Sequence, residues 1–467
     1  MSTIERRKGG RGDVSGAPPS WSGIEGVEVE SLAPGGAGLV RLASGEVGFV
    51  DGVLPGESVR VRSAGKVRGA RRLELVEVVR ASTERVSPAC PHQRACGGCD
   101  WMHMSAAAQG RGHADIVRGL LARAVGSCPE PTVREAPTHH RTRARLVIHV
   151  ERGRATLGFR ERGSHALASI DDCQVLAPSL FAAARRLSTE VAIHVSAPSS
   201  ARREDGRGIR GVAASGRAVD LQLAIAFGAG ALPVVDLEAS VDLGTAFFQA
   251  IDQAIRGSER WLAGAMVRSP GAREPARFGD PRAVQRGLDG LPMVAPSGGF
   301  AQSSDAGASL LAERTVALAA PQGRHVFELF SGSGTLSVEL ARHAASLTSV
   351  ELEAAAVACA RENLQARGLH ATLRQGDAER TPIPAKAELV VLDPPRAGAA
   401  GAVAAIAAAR PRDVVYVSCD PATLARDAAV LARAGYGIAA LETLELFPET
   451  SHVETLCRFT RSRARER

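Results

Sequence analysis

One cysteine stands at the end of a predicted buried strand, a position suited to nucleophilic chemistry. Residues 414–417 (VVYV) are strongly β-prone, and Ser418, Cys419, Asp420 and Pro421 follow as residues that stop a strand. Open α/β sheets carry their reactive groups at the carboxyl ends of their strands. The pattern therefore predicts that Cys419 faces a crevice at the edge of such a sheet.

Two further stretches have the same form and predict neighbouring strand ends. Residues 390–392 (VVL) run into Asp393 and a rigid Pro-Pro turn, and residues 326–330 run into the glycine-containing loop 331–335 (SGSGT). Glycines allow a ligand to approach the backbone closely, and a loop that opens a helix is suited to binding a nucleotide-like ligand. Three strand ends are therefore expected to meet at one site.

Five sequence blocks, in order, resemble the RNA uracil-5-methyltransferases. The blocks are ELFSGSGT, VELEAAAVACAREN, LDPPRAG, VSCDPATLARD and FPETSHVET. A lone glycine-rich loop occurs in many nucleotide-binding proteins, whereas five ordered blocks with a central cysteine are specific. The resemblance implies an α/β catalytic domain of the Rossmann-like class I fold that uses S-adenosylmethionine to form 5-methyluridine in RNA.

The resemblance also implies roles for the reactive residues. Thiolate addition by Cys419 at uracil C6 would make C5 nucleophilic, and a base would then remove the C5 proton. Glu454 matches the family's base, with Glu449 and His452 as alternatives nearby. Asp420 replaces the Asn that usually follows the nucleophile, and a carboxylate there is expected to raise the pKa of the thiol.

The family pattern implies a donor site built from several loops. The expected S-adenosylmethionine-binding residues are Gln302, Phe330, Thr335, Glu351, Asp377 and Asp393. Glu351 ends the second strand, where doubly wound folds bind ribose hydroxyls, and Asp377 is expected near the adenine. Ser304 stands where the family's F-x-Q-x-N block has Asn. Arg396 follows the Pro-Pro turn where amino-group methyltransferases usually have an aromatic residue, which favours carbon methylation.

Composition places the chain among ordinary globular proteins. It has 467 residues, of which 45% are hydrophobic and 23% charged, enough for about three domains at ~150 residues each. No apolar run reaches the ~18 residues of a membrane span, and the first residues lack a signal peptide's apolar core, so a cytoplasmic protein is expected. The net charge of +7 is compatible with an RNA partner but equally with an Arg-rich protein. No protein partner is predicted.

Four segments are predicted along the chain. Residues 1–22 form a basic arm, 23–82 a small OB-like barrel, 83–295 a β-rich central domain and 296–467 the methyltransferase domain. The barrel segment resembles the TRAM domain, an RNA-binding barrel. Within the central domain, a helix is expected near 106–125. Alternating arginines at 141–145 either line one face of a strand or form a solvated stripe.

A cysteine-rich segment predicts a metal site. Cys90, Cys96 and Cys99 have the spacing C-x5-C-x2-C, and Cys173 lies downstream. Without a secretion signal, this spacing argues for iron–sulfur or zinc rather than disulfides, and the residues alone leave both metals open. The resemblance implies a [4Fe–4S] cluster on these four cysteines. Cys128, Cys359 and Cys457 are expected to be structural.

A chain with both the predicted barrel and the predicted cluster resembles the family branch that acts on 23S ribosomal RNA, since the bacterial transfer-RNA branch generally lacks both. The sequence therefore predicts methylation of C5 of a 23S uridine. The alternatives are a transfer-RNA uracil-5-methyltransferase and a non-catalytic RNA-binding factor, the latter suggested by the barrel and by Ser304 and Asp420. Cys419 and Glu454 distinguish the enzyme from the binding factor.

Overall fold

The structure is a computed structural model that describes residues 24–67, 69–137, 140–196 and 218–461. The predicted basic arm at 1–22 lies outside these residues. The described chain forms two compact units, residues 24–31 with 37–83 and residues 32–36 with 84–461. The residue boundaries predicted for the individual domains remain predictions. Within the described residues, no helix combines the length and apolarity that a membrane crossing requires.

The N-terminal unit is the predicted barrel. Five strands close on themselves in the order β1-β2-β3-β5-β4. They are β1 Ile24–Leu32, β2 Gly38–Arg41, β3 Val47–Val50, β4 Ser58–Val67 and β5 Ala70–Arg80. Alternate residues such as Val40, Val50, Val59 and Val61 fill the interior, because successive side chains of a strand point to opposite faces.

The central region is strand-rich, as predicted. Seven strands of the described chain form a sheet in the order β13-β12-β11-β10-β7-β8-β9. They are β7 Arg143–Glu151, β8 Arg154–Arg160, β9 Leu167–Ser169, β10 Val219–Phe227, β11 Pro233–Ala239, β12 Gly264–Arg268 and β13 Ala276–Gly279. Helices α2 (Pro178–Ser196) and α3 (Gly244–Arg256) pack their apolar faces on this sheet.

The C-terminal sheet carries the predicted reactive strand ends. Its eight described strands have the order β18-β17-β16-β19-β20-β22-β21-β6. They are β6 Thr132–Glu135, β16 His325–Leu329, β17 Ser346–Glu351, β18 Thr372–Gln375, β19 Leu389–Leu392, β20 Asp413–Ser418, β21 Tyr436–Glu445 and β22 Glu454–Arg461. All run parallel except β22, which is antiparallel to both its neighbours.

Helices cover both faces of this sheet, which explains its continuous apolar strands. They are α1 Ala106–Val125, α4 Asp305–Ala319, α5 Thr335–His343, α6 Ala354–Gln365, α7 Ala400–Ala409 and α8 Pro421–Arg433. In β20, Val414 and Tyr416 pack with α1, α7 and α8, whereas Val415 and Val417 pack with α4 and α5. The hairpin of β14 (Ala283–Arg286) and β15 (Pro292–Ala295) leads from the central sheet to α4.

Candidate active site

Strand order brings the predicted loops together at one edge of the C-terminal sheet. The first strand of the α/β unit, β16, lies between β17 and β19, so the chain moves outward in both directions from this point. Leu329 of β16 is paired with Leu392 of β19, and Leu392 with Tyr416 of β20. Phe330, Asp393 and the end of β20 are therefore neighbours, at the strand-order reversal where open α/β sheets bind ligands.

A cleft opens at this reversal. It contains about 600 Å³ of empty volume, including space open to solvent. Four of the six predicted donor-binding residues line it, namely Gln302, Phe330, Thr335 and Asp393. The loop turns sharply beneath the cleft, because Phe330, Gly332 and Gly334 all have positive φ angles (59°, 53° and 86°). Without side chains, the two glycines adopt this conformation at little cost.

The other two predicted donor residues lie outside the cleft lining formed by the described residues. Glu351 accepts a hydrogen bond from the backbone N–H of Gly332 at 2.9 Å, so it holds the glycine loop. Asp377 caps a short 3₁₀ helix at residues 378–380 and accepts from the N–H of Glu379 at 3.0 Å. Their contacts with a donor stay predictions.

Gln302 is positioned by the arginine-rich strand and the β14–β15 hairpin. Arg143 donates to the carbonyl of Gly299 at 2.7 Å, and the N–H of Thr142 donates to the carbonyl of Ser303 at 2.8 Å. The side chain of Gln285 donates to the carbonyl of Gln302 at 2.7 Å. Because Arg143 is half-buried and donates to a backbone carbonyl, it is a backbone anchor and not part of a solvated stripe; burial lowers its pKa to about 10.

Two further buried residues support this side of the cleft: Glu328, which begins the strand and loop that the sequence assigns to the methionine part of the donor, and Asn363, to which the sequence assigns no role. Glu328 is buried in β16 and accepts from the hydroxyls of Ser337 at 2.5 Å and Ser349 at 2.6 Å, while its Oε1 has no hydrogen-bond partner among the described residues. Burial raises the pKa of Glu328 to about 7, against the effect of the two hydroxyls. The signal in the sequence was an acid inside an apolar strand.

Asn363 is the second such residue. Its side-chain amide donates to the carbonyls of Val294 and Ser333, both at 2.9 Å, and its Oδ1 accepts from the N–H of Val294 at 2.9 Å. The residue is buried in α6. It thereby joins the β14–β15 hairpin to the glycine loop across one wall of the cleft.

Cys419 and Glu454 meet because β22 runs against the other strands. Ser418 of β20 is paired with Thr455 of β22, so the next residues outward, Cys419 and Glu454, are neighbours at the carboxyl edge. Cys419 is half-buried. The pKa of its thiol is raised to about 11, first by burial and then by nearby Glu454 and Asp393, while Arg396 opposes them.

The two carboxyls beside the thiol are also shifted upward. Glu454 is 3% exposed, and burial followed by the charge of Asp393 raises its pKa well above the usual range, while Arg396 lowers it. Glu454 Oε1 has no hydrogen-bond partner within the described part of the chain. Burial raises the pKa of Asp393 to about 7. When the pKa of a carboxyl group is high, its carboxylate form is a stronger base, and a stronger base is better suited to removing a proton.

Asp420 does not act on the thiol as expected. Its Oδ1 caps α8 by accepting from the N–H groups of Ala422 at 3.0 Å and Thr423 at 2.9 Å. The raised pKa of Cys419 comes first from burial and then from Glu454 and Asp393. Ser304 is likewise a cap, and its hydroxyl accepts from the N–H of Gly307 at the start of α4 at 3.0 Å.

The alternative bases are engaged elsewhere. The Glu449 carboxylate accepts from the side chain of Gln109 in α1 at 3.2 Å. His452 Nε2 lies 3.3 Å from a guanidinium nitrogen of Arg396, and burial lowers the pKa of the imidazole. Among the three candidates, Glu454 is the one whose charge acts on Cys419.

Cys173 comes close to the three cysteines of the spaced motif. His92 and Asp171 are paired at 2.6 Å, and Gln174 donates to the carbonyl of Ala89 at 3.0 Å. These contacts bring the chain around Cys173 to the segment 89–92, so the long sequence separation is closed in the fold.

The four predicted metal ligands influence one another electrostatically. Burial raises the pKa of Cys96, and Cys173 and Cys90 add to that effect. Burial raises the pKa of Cys99 to about 12, with Arg141 opposing. All four thiols are free of disulfides. The described residues contain no group of three His, Cys, Asp or Glu side chains already placed to hold a metal ion.

The cleft, the glycine loop and the strand order together define a class I S-adenosylmethionine-dependent methyltransferase. Two family models match the chain, a methyltransferase small domain over residues 291–410 and a tRNA (Uracil-5-)-methyltransferase over residues 385–461. Relatives extend the match to nearly the whole length, and the chain belongs to the RNA uracil-5-methyltransferase family.

Two curated relatives and one solved structure illustrate the similarity. The chain is 31% identical over 461 residues to the 23S rRNA (uracil(1939)-C(5))-methyltransferase RlmD of Marinomonas sp. (strain MWYL1), covering 97% of this chain and 98% of that protein. It is 34% identical over 460 residues to the protein of the same name from Acidithiobacillus ferrooxidans, covering 94% and 97%. The tRNA (uracil-54, C5)-methyltransferase of Pyrococcus abyssi, crystallised with S-adenosyl-L-homocysteine, has a TM-score of 0.67 and 21% identity, covering 93% of this chain and 99% of that one. That likeness shows the shared fold.

The raised pKa of Cys419 predicts slow alkylation of the free protein. Because less thiolate is present at a given pH when the pKa is raised, the rate of Cys419 alkylation by iodoacetamide should be low at pH 8 and rise ~tenfold per pH unit toward pH 11. Arg396→Gln should slow it further, since Arg396 lowers this pKa. Peptide-resolved mass spectrometry measures the rate. Cys128, whose pKa responds to Arg118 and not to Arg396, is the internal control; an alkylation profile of Cys419 centred near pH 8 would contradict the buried site.

Proposed function

We propose that the protein transfers a methyl group from S-adenosylmethionine to C5 of a uridine in 23S ribosomal RNA, through a covalent adduct between Cys419 and uracil C6. The observation that carries this proposal is the pairing of Ser418 with Thr455, which sets a half-buried thiol beside a buried carboxyl next to the donor cleft. The 23S substrate is supported by the names of relatives that match 97% and 94% of the chain. Such a substrate also implies a cytoplasmic location.

Cys419 begins the reaction as its thiolate, by adding its sulfur to C6. As the S–C6 bond forms, the C5=C6 electron pair moves toward O4, and the resulting enolate is nucleophilic at C5. S-adenosylmethionine, when bound, would supply an electrophilic methyl group on a sulfonium centre: C5 would take this methyl group as the S–CH₃ bond breaks, and S-adenosylhomocysteine would leave. Glu454 then takes the remaining C5 proton, the C5=C6 bond reforms, and the S–C6 bond breaks to release the Cys419 thiolate. The uridine must be unpaired or flipped, because stacking in a helix hides C6.

The donor-site residues have assigned tasks in this proposal. Gln302, Phe330 and Thr335 contact the methionine part, and Asp393 faces both the donor and the base, consistent with their places in the cleft lining. Glu351 is assigned to the ribose and Asp377 to the adenine, on the strength of the family pattern. The barrel is assigned to RNA binding on the same ground.

Loss of the gene tests the substrate. In a deletion strain, mass analysis should find one 5-methyluridine missing from 23S ribosomal RNA and the transfer-RNA level unchanged. A plasmid copy should restore the modification, and a Cys419→Ala copy should not. Loss of 5-methyluridine from transfer RNA, with ribosomal RNA unaffected, would replace the proposed substrate by the transfer-RNA alternative.

Two variants test the chemical roles. Cys419→Ala should bind RNA and donor but transfer no methyl group, because C5 never becomes nucleophilic. Glu454→Gln should add and methylate but stall before elimination, slowing release by about 10²- to 10⁴-fold, the usual contribution of a general base. The RNA should remain attached to Cys419 in a denaturant-resistant, methylated complex. Wild-type protein should form a similar complex with 5-fluorouridine RNA, since fluorine cannot leave as a cation.

Glu449→Gln and His452→Ala are the matched controls for the base. Both should release product without accumulating the complex. Accumulation in either of them, with normal turnover by Glu454→Gln, would transfer the role of the base to that residue. Failure of every variant and of the fluorinated RNA to form a covalent complex would remove the nucleophilic role of Cys419.

We also propose that Cys90, Cys96, Cys99 and Cys173 hold a [4Fe–4S] cluster. The chemistry of the donor set supports this, because all four thiols are free of disulfides and Cys96 lies within electrostatic reach of Cys90, Cys99 and Cys173; burial raises the pKa of Cys96 and Cys99, and Arg141 opposes that effect. A cluster on four thiolates carries negative charge, which the Arg141 guanidinium would offset. The cluster would cross-link the segment 90–99 to the chain around Cys173.

Protein purified without oxygen should therefore be brown, with broad visible absorption that bleaches on oxidation. Replacing Cys96 and Cys99 with Ser should abolish the colour and the iron content. Cys128→Ser, outside the proposed set, should retain both. A colourless protein with one equivalent of zinc would contradict the cluster and favour the zinc site that the spacing also allows.

A further inference from the structure

The loop that leads into Glu454 is held by the chain immediately after the cysteine motif. This base loop, residues 447–453, contains Glu449, a non-glycine residue with φ of +67°. Such a conformation persists only when surrounding contacts enforce it. The carbonyl of Glu449 accepts hydrogen bonds from the N–H groups of Asp100 and Trp101, both at 3.0 Å.

Side chains reinforce these backbone contacts. Asp100 Oδ1 accepts from the N–H of Ser451 at 2.7 Å. Gln109 Oε1 accepts from the N–H of Glu449 at 3.0 Å, and its Nε2 donates to the Glu449 carboxylate. Arg141 donates to the carbonyls of Gly98 and Pro448, both at 3.4 Å. Successive residues of the base loop are therefore fixed from one side by a single framework.

That framework is itself rigid. Trp101 is 1% exposed and stacks on His113 with ring centroids 4.4 Å apart. His113 contacts the carbonyl of Thr450 through Nε2 at 3.1 Å. Gln109 is buried in α1, and its Nε2 also lies within hydrogen-bonding distance of the carbonyls of Trp101 and Met104.

Glu454 depends on its backbone for its position. Its Oε1 is buried and has no hydrogen-bond partner among the described residues, so this oxygen receives no orientation from a neighbouring side chain. The backbone of Glu454 is set by its pairing with Leu444 in β21 and by the base loop that precedes it. A proton acceptor displaced by about 1 Å can lose ~10²-fold in rate.

We propose that Asp100 and Gln109 are positioning residues that place the general base by fixing the base loop. This inference rests on the function proposed above. Because Glu454 acts only after methyl transfer, loosening the loop should delay elimination while leaving addition and methylation intact. The signature is accumulation of the methylated Cys419–RNA complex, an outcome that simple loss of folded protein does not produce.

The experiment compares Asp100→Ala with Asp100→Asn in the full-length protein. Asn keeps an oxygen that can accept from the N–H of Ser451, whereas Ala does not. After incubation with donor and a 23S fragment, the fraction of protein in the denaturant-resistant complex is measured on a gel. We expect Asp100→Ala to accumulate at least several-fold more complex than wild type, and Asp100→Asn to resemble wild type.

Three further measurements separate positioning from general damage. Gln109→Met removes both side-chain contacts with Glu449, and Gln109 is farther along the chain from the cysteines than Asp100 is. This variant should also accumulate the complex. Asp413 lies at the other end of β20, and its buried carboxyl forms ion pairs with Arg324 and Arg458. Asp413→Asn weakens these ion pairs and should lower the stability of the folded protein without accumulating the complex. Iron content and visible absorption of Asp100→Ala should match those of Asp100→Asn, so that a lost metal site does not explain the difference.

Glu454→Gln is the positive control that separates the inference from the proposed function. One outcome would be that Glu454→Gln accumulates the complex, whereas Asp100→Ala and Gln109→Met fold and lose turnover without accumulating the complex. In that case the positioning role is wrong and the proposed chemistry stands. If Glu454→Gln accumulates none, the base assignment fails and the positioning role fails with it. Equal accumulation by Asp413→Asn would also overturn the inference.

Discussion

The antiparallel pairing of β20 with β22 is the constraint on which this site depends. Parallel strands present only their carboxyl ends at the ligand-binding edge of a sheet. Because β22 runs in the opposite direction, its first residue, Glu454, stands at that edge, next to the residue that follows β20. The thiol of Cys419 and the carboxyl of Glu454, 35 positions apart in the sequence, are thereby made neighbours, beside the cleft that Asp393 helps to line.

Burial has the same effect on four ionisable groups at this edge. It raises the pKa of Glu328 and Asp393 to about 7, that of Cys419 to about 11, and that of Glu454 well above its usual range. A higher pKa shifts each of these groups toward its protonated form. A cationic sulfonium in the cleft would favour ionised carboxylates, since an opposite charge lowers a carboxyl pKa. In the proposed reaction, binding of S-adenosylmethionine is thus linked to the protonation of the carboxyl groups at this edge.

Much of the fold follows from local pattern. The alternation of apolar residues and the glycine-containing turns predicted the barrel, and the helix expected at 106–125 is α1. Residues 414–417 form the interior of β20 because apolar side chains on both faces require helices above and below. The roles expected of Asp420 and of the arginines at 141–145 depended on neighbours that local pattern does not define. The first proved to be a helix cap, and Arg143 a backbone anchor.

The sequence by itself determined the family, the cysteine at the end of a strand and the order of the motifs, because these depend on residue type and spacing along the chain. Only the tertiary structure showed how the three base candidates are engaged: Glu454, which the sequence favoured, lies beside the thiol, whereas Glu449 contacts Gln109 and His452 contacts Arg396. It also decided that Asn363 joins two walls of the cleft and that the residues after Cys99 hold the base loop. Such contacts join segments more than 300 residues apart in the case of Asp100 and Glu449, and no local periodicity encodes them.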